Sequence, residues 1–108
     1  MLVTFMSCDD GNIGLVKYGS LDMCEFTVGE MVDNYFLNPK WEEIVGDDGR
    51  NYVNITGGIS YLDEPTEALL QFKIREERFM VNALEINGEG QNEFIILGLL
   101  NSMCEEAF

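Results

Sequence analysis

Thr27-Val28-Gly29-Glu30-Met31-Val32-Asp33-Asn34-Tyr35-Phe36-Leu37-Asn38-Pro39-Lys40-Trp41 reads as a capped helix, a stop, and a tryptophan opening the next element. Thr27 and Glu30 have the capping-box spacing, in which each side chain bonds the other residue's backbone N–H. From about Val28 to Leu37 the apolar residues Val28, Met31, Val32, Tyr35 and Phe36 fall on one side, with Glu30, Asp33 and Asn34 outward. Asn38-Pro39 then stops the helix, because proline disfavours the helical conformation in the residue before it.

Downstream the period changes from helical to alternating. Asp47-Asp48-Gly49 reads as a hairpin turn between strands over Trp41–Val45 and Asn51–Tyr61. Val53 and Ile55 alternate with Asn54 and Thr56, and Leu70, Phe72 and Ile74 alternate with Gln71, Lys73 and Arg75. Both patterns predict a sheet with one wet face. Glu76-Glu77 makes the next turn, a fourth strand runs from Phe79 to Ile86, and Asn87-Gly88-Glu89-Gly90 breaks the pattern. A second helix is expected from about Asn92 toward Glu106, burying Phe94, Ile95, Leu97, Leu99, Leu100 and Met103 against the sheet. Upstream, Ile13, Leu15 and Val16 suggest a short strand over Asn12–Tyr18. The expected fold is α+β in two layers, with an N-terminal helix, a four-stranded antiparallel sheet and a C-terminal helix.

A chain of 108 residues with 46% hydrophobic side chains supports one domain with one core. Six basic residues against twenty acidic ones leave a net charge of −14. That balance argues against direct nucleic-acid binding and against anionic membrane surfaces; it can attract a basic protein, a cationic ligand or a divalent metal, or simply confer solubility. With no histidine, the commonest general base and metal ligand is missing. Cys8, Cys24 and Cys104 have no metal-site or thioredoxin-like spacing. No cofactor is implied.

Met1-Leu2-Val3-Thr4-Phe5-Met6-Ser7-Cys8 is apolar and precedes Asp9-Asp10-Gly11-Asn12. It resembles the tail of a bacterial lipoprotein signal, in which Cys8 carries the lipid, although no basic stretch precedes it. The alternative is a short strand or leader with an incidental cysteine. Residues 1–11 are expected to form a leader or lipoprotein-type tether, and 12–108 a single domain.

Four segments together resemble a domain of bacterial envelope proteins: Leu15-Val16-Lys17-Tyr18-Gly19, Thr27–Trp41, Asn51-Tyr52-Val53-Asn54-Ile55-Thr56-Gly57, and Leu84-Glu85-Ile86-Asn87-Gly88 followed by Gln91-Asn92. That domain occurs in small lipoproteins and at the C-terminal end of membrane proteins that begin with a cytoplasmic zinc ribbon. The resemblance spans about Leu15 to Glu106. It implies an extracytoplasmic location and a cystatin-like or β-lactamase-inhibitor-like fold, and it implies no activity.

Candidate chemistry is sparse. Asp47-Asp48-Gly49-Arg50-Asn51 lacks the alternate ligands and late glutamate of a calcium loop. The pairs Glu42-Glu43, Asp63-Glu64 and Glu76-Glu77 lie on strands or in turns, where neighbouring carboxylates do not face each other across a cleft. Gly88-Glu89-Gly90 lacks the Lys-Ser/Thr of a phosphate loop. Cys24 and Cys104 are candidates for a disulfide between the segment before the first helix and the last helix; the alternative is two buried thiols. Trp41 is a candidate interface anchor, favoured as core, and Tyr18, Tyr52 and Tyr61 are candidates to join it. No metal site is expected. The composition and resemblance point to a non-enzymatic envelope domain that binds another protein, of inhibitor or immunity type. The alternative is a cytosolic acidic mimic of nucleic acid that blocks a basic groove, weakened by acids scattered through turns and helix faces.

Overall fold

The computed structural model describes residues 11–107. Three helices, α1 (Gly11–Lys17), α2 (Val28–Tyr35) and α3 (Glu93–Glu106), accompany one antiparallel sheet. Its strands are β1 (Leu37–Val45), β2 (Asn51–Tyr61), β3 (Glu64–Arg75), β4 (Arg78–Ile86) and β5 (Glu89–Gly90), paired in sequence order. The fold is α+β with five strands rather than four. The fifth has two residues, Glu89 and Gly90, opposite Ile86 and Glu85. So short a strand has no period to read.

α2 begins as its capping box dictates. The Thr27 N–H donates to Glu30 Oε1 at 2.8 Å, and the Glu30 N–H donates to Thr27 Oγ1 at 3.1 Å. The helix ends at Tyr35, two residues earlier than expected, and Phe36 turns extended. Pro39 sits in edge strand β1, where a missing N–H costs no ladder bond, and the register shifts between Leu37 and Lys40.

Residues 11–17 form a helix, not the expected strand. Ile13 and Val16 are three apart, which places both on one helical face; Val16 is fully buried and Ile13 packs against the core. A run this short carries either period, and tertiary packing decides. α1 packs close to α2 at Gly29, where a Cβ would stand 2.8 Å from the Lys17 carbonyl oxygen.

The core lies between the helices and one sheet face. Val53, Ile55 and Ile59 of β2, Ala68, Leu70 and Phe72 of β3, and Leu84 and Ile86 of β4 meet Val28, Met31 and Val32 of α2 and Leu99, Leu100 and Met103 of α3. Phe72 and Phe79 make an edge-to-face pair with centroids 5.7 Å apart. Cys24 and Cys104 are joined as a disulfide with Cα atoms 5.9 Å apart, tying the segment before α2 to the last turn of α3.

The opposite sheet face carries no helix among the described residues. An amide row crosses it: Asn82 Nδ2 donates to Gln71 Oε1 at 2.6 Å, and Gln71 Nε2 donates to Asn54 Oδ1 at 3.0 Å. Three hairpins turn on two residues at positive φ: Leu62-Asp63, Glu76-Glu77 and Asn87-Gly88. Only Asn87-Gly88 has the residues such a turn prefers.

Candidate functional site

α3 has more apolar surface than one sheet can cover. Glu93-Phe94-Ile95-Ile96-Leu97-Gly98-Leu99-Leu100 is apolar around most of the helix circumference. Leu99, Leu100 and Met103 face the core, which turns Phe94 and Leu97 away from it. Phe94 is 86% exposed and Leu97 54% exposed, so both leave the stripe that sequence reasoning assigned to burial.

This ridge lies between two concavities. On one side Leu21, Met23, Val81, Ile96, Leu97 and Leu100 line a groove of about 460 Å³, with Asp22 and Glu93 among its polar lining. On the other, Tyr35, Tyr61, Leu62, Phe94, Ile95 and Leu99 line a groove of about 260 Å³. Leu62 stands in the β2–β3 turn at φ 53° and is 81% exposed. Left-handed backbone is costly for a leucine, and here the turn presents its apolar side chain to solvent beside Phe94.

The ridge is held at both ends. Asn92 caps α3 by accepting from the Ile95 N–H at 3.0 Å. The Cys24–Cys104 disulfide fixes the far end against the segment that supplies Leu21 and Met23 to the larger groove. Burial, and then the charge of Glu106, push the Tyr35 phenol above its ordinary pKa.

The four aromatic candidates do not converge. Trp41 is half-buried on the helix side, with the Lys17 ammonium 5.5 Å from its ring centroid, a cation–π contact. Tyr52 lies on the open sheet face and donates its hydroxyl to Asp48 Oδ2 at 2.8 Å. Tyr61 alone reaches the α3 ridge. Tyr18 is exposed beyond the end of α1.

The Asp47–Asn51 segment forms a turn in which Asp48 works as an intrachain acceptor. Its carboxylate takes the Arg50 N–H at 3.0 Å and the Tyr52 hydroxyl. Both bonds hold Asp48 below the usual aspartate range, and the bond from the Tyr52 hydroxyl lifts that phenol above its own. Among the described residues no group of three or more Asp, Glu or Cys side chains is arranged to hold a metal ion, and no helix is long and apolar enough to cross a membrane. Cys8 and the apolar stretch before it lie outside the described residues.

Comparison with known protein families, with curated proteins and with solved structures finds no match to this chain.

Proposed function

We propose that this chain is a non-enzymatic domain of the bacterial envelope that binds another protein through the Leu62–Phe94–Leu97 surface. The observation that carries the reading is the exposure of those three large apolar side chains on one side of the molecule, flanked by two grooves. A contiguous exposed apolar surface rimmed by polar groups is the usual mark of a protein contact, whereas single exposed apolar residues are ordinary. Asp22 and Glu93 beside the larger groove and the net charge of −14 favour a partner with a basic surface.

In this reading the domain is of inhibitor or immunity type and presents the α3 ridge to a basic cleft. Its fold belongs with the cystatin-like or β-lactamase-inhibitor-like sandwiches of the resembling envelope domain. The Cys24–Cys104 disulfide supports an extracytoplasmic location, because such bonds persist in oxidising compartments. Attachment through a lipid on Cys8 completes the proposal.

The test is retention of the native partner by purified protein. Full burial of a phenylalanine or leucine side chain is worth about 1.5–3 kcal/mol, so Phe94→Ser weakens partner binding at least tenfold, and Leu97→Ser, with about half of its side chain left to bury, weakens it by roughly fivefold or more. Both side chains are already exposed, so folding survives, as circular dichroism would verify. Undiminished binding by the Phe94→Ser/Leu97→Ser double variant would refute the assignment of this surface.

A further inference from the structure

The fold segregates charge in a way that composition hides. The six basic residues are Lys17, Lys40, Arg50, Lys73, Arg75 and Arg78. Four of these gather at one end of the sheet. Lys73 and Arg75 are two apart on β3 and share its open face, opposite in parity to the buried Leu70 and Phe72. Arg78 is the direct cross-strand partner of Arg75, and Lys73 is opposite Met80, so Arg78 shares that face. Arg50 adjoins them from the β1–β2 turn, because Asn51 is paired with Ile74 at the same end. Arg50, Lys73 and Arg75 line a concavity of about 280 Å³ together with Asn51 and Ile74.

Two features set this cluster apart from ordinary surface charge. The chain holds twenty acidic residues, yet among the described residues no carboxylate lies within ion-pairing distance of Lys73, Arg75 or Arg78. Arg50 alone has a partner, Asp48, at 3.9 Å. Arg75 and Arg78 are also directly opposite in the ladder, where like charges are destabilising. A bound anion removes that repulsion. The nearby acids are Asp47 and Asp48 in one turn and Glu76 and Glu77 in the other; none of them lines the concavity.

We infer that the concavity formed by Arg50, Lys73 and Arg75, with Arg78 beside it, is a binding site for a dianionic phosphate monoester. Two or more guanidinium groups and an ammonium suit the three terminal oxygens of such a group, which accept paired N–H bonds from arginine and a point contact from lysine. A single carboxylate, being planar and singly charged, uses one guanidinium and leaves the rest unmatched. The distant acidic surface opposes binding only weakly, since charges more than about 8–10 Å apart are largely screened at physiological salt. The site lies at the end of the sheet, with Lys73 and Arg75 on its uncovered face, and shares no lining residue with the α3 ridge.

The experiment is a titration of the ¹⁵N-labelled protein, followed by amide shifts, with glycerol 3-phosphate, with vesicles of phosphatidylcholine containing phosphatidic acid, and with acetate as the control anion. The inference expects saturable shifts centred on Arg50, Lys73, Arg75 and Arg78, at phosphate concentrations below roughly 10 mM, and much smaller shifts with acetate. Lys73→Gln with Arg75→Gln should weaken the response at least tenfold while leaving the rest of the spectrum in place. A response to the soluble ester assigns a soluble ligand, and a response to vesicles alone assigns a lipid headgroup. No saturable shift with either probe, an equal response to acetate, or an undiminished response in the double variant would overturn the inference.

Discussion

Breaking the Cys24–Cys104 bond should cost the domain a large part of its stability. The bond joins residues 80 apart in sequence, so the loop it closes takes in most of the chain. In the chain-entropy account a loop of that length restricts the unfolded ensemble by about 4.5 kcal/mol at 25 °C. Small domains are stable by only about 5–15 kcal/mol in total. The assay is urea unfolding followed by the fluorescence of Trp41, half-buried between α1 and the sheet. With a slope of about 1.5–2 kcal/mol per molar, typical for this size, reduction should lower the midpoint by roughly 2–3 M. The Cys24→Ala, Cys104→Ala and double variants should resemble one another and the reduced protein, because each removes the same cross-link. A reduced protein that unfolds within about 0.3 M of the oxidised one would show that the cross-link contributes little. The loss should also reach the proposed interface, since the bond holds the end of α3 beside the segment carrying Leu21 and Met23.

Further expectations follow from single positions. Gly29→Ala places a methyl group 2.8 Å from the Lys17 carbonyl oxygen and should cost about 1–3 kcal/mol, measured by the same urea unfolding. Replacing Glu76-Glu77, both at positive φ, by Asn-Gly gives the turn its preferred residues and should raise stability by about 1 kcal/mol, read as a higher thermal midpoint. Because Asp48 titrates below its unfolded value, its bonds to Arg50 and Tyr52 contribute stability above the ordinary aspartate range, lost as pH falls through the folded value. Asp48→Asn should flatten that acid limb, as pH-dependent unfolding would show. Tyr52 has the opposite sign: its raised phenol favours the fold below the ordinary tyrosine pKa, and that contribution fades as pH rises through the folded value. Absorbance titration should find its ionisation displaced upward, and Asp48→Asn should restore it.

Much of the layout was legible because local chemistry and tertiary packing agree. Thr27 and Glu30 announced the start of α2, and the alternation at Val53–Thr56 and Leu70–Arg75 announced a sheet with one dry face. Where packing overruled local pattern, the reading failed. Ile13 and Val16 suit a helix face as well as a strand, and only contact with the core decides between them. The turn at Leu62-Asp63 lacks the Asn or Gly that marks such a reversal, so the long β2–β3 hairpin had no sequence signal at its tip.

The surfaces were less legible than the fold for a related reason. Phe94 and Leu97 carry the residue types of a core stripe, and they are exposed because α3 is apolar on more sides than the sheet can cover. The unusual breadth of that apolar pattern was the available signal. Lys73, Arg75 and Arg78 lie within six residues around the Glu76-Glu77 turn, but nothing local in the sequence brings Arg50 to them. Their grouping depends on the β2–β3 and β3–β4 registers, which set which residues stand side by side. A net charge of −14 reads as uniformly acidic until those registers are known.

In the proposed function, partners meet this domain on the α3 ridge. The most direct test is site-specific photocrosslinking in the native cell, with a photoreactive amino acid placed in turn at Leu62, Phe94, Leu97, Glu42 and Asp33. A discrete protein adduct is expected from positions 62, 94 and 97, abolished in each case by Ser at the other two of these positions, and none from Glu42 or Asp33. Adducts from Glu42 or Asp33 with none from the ridge would contradict it.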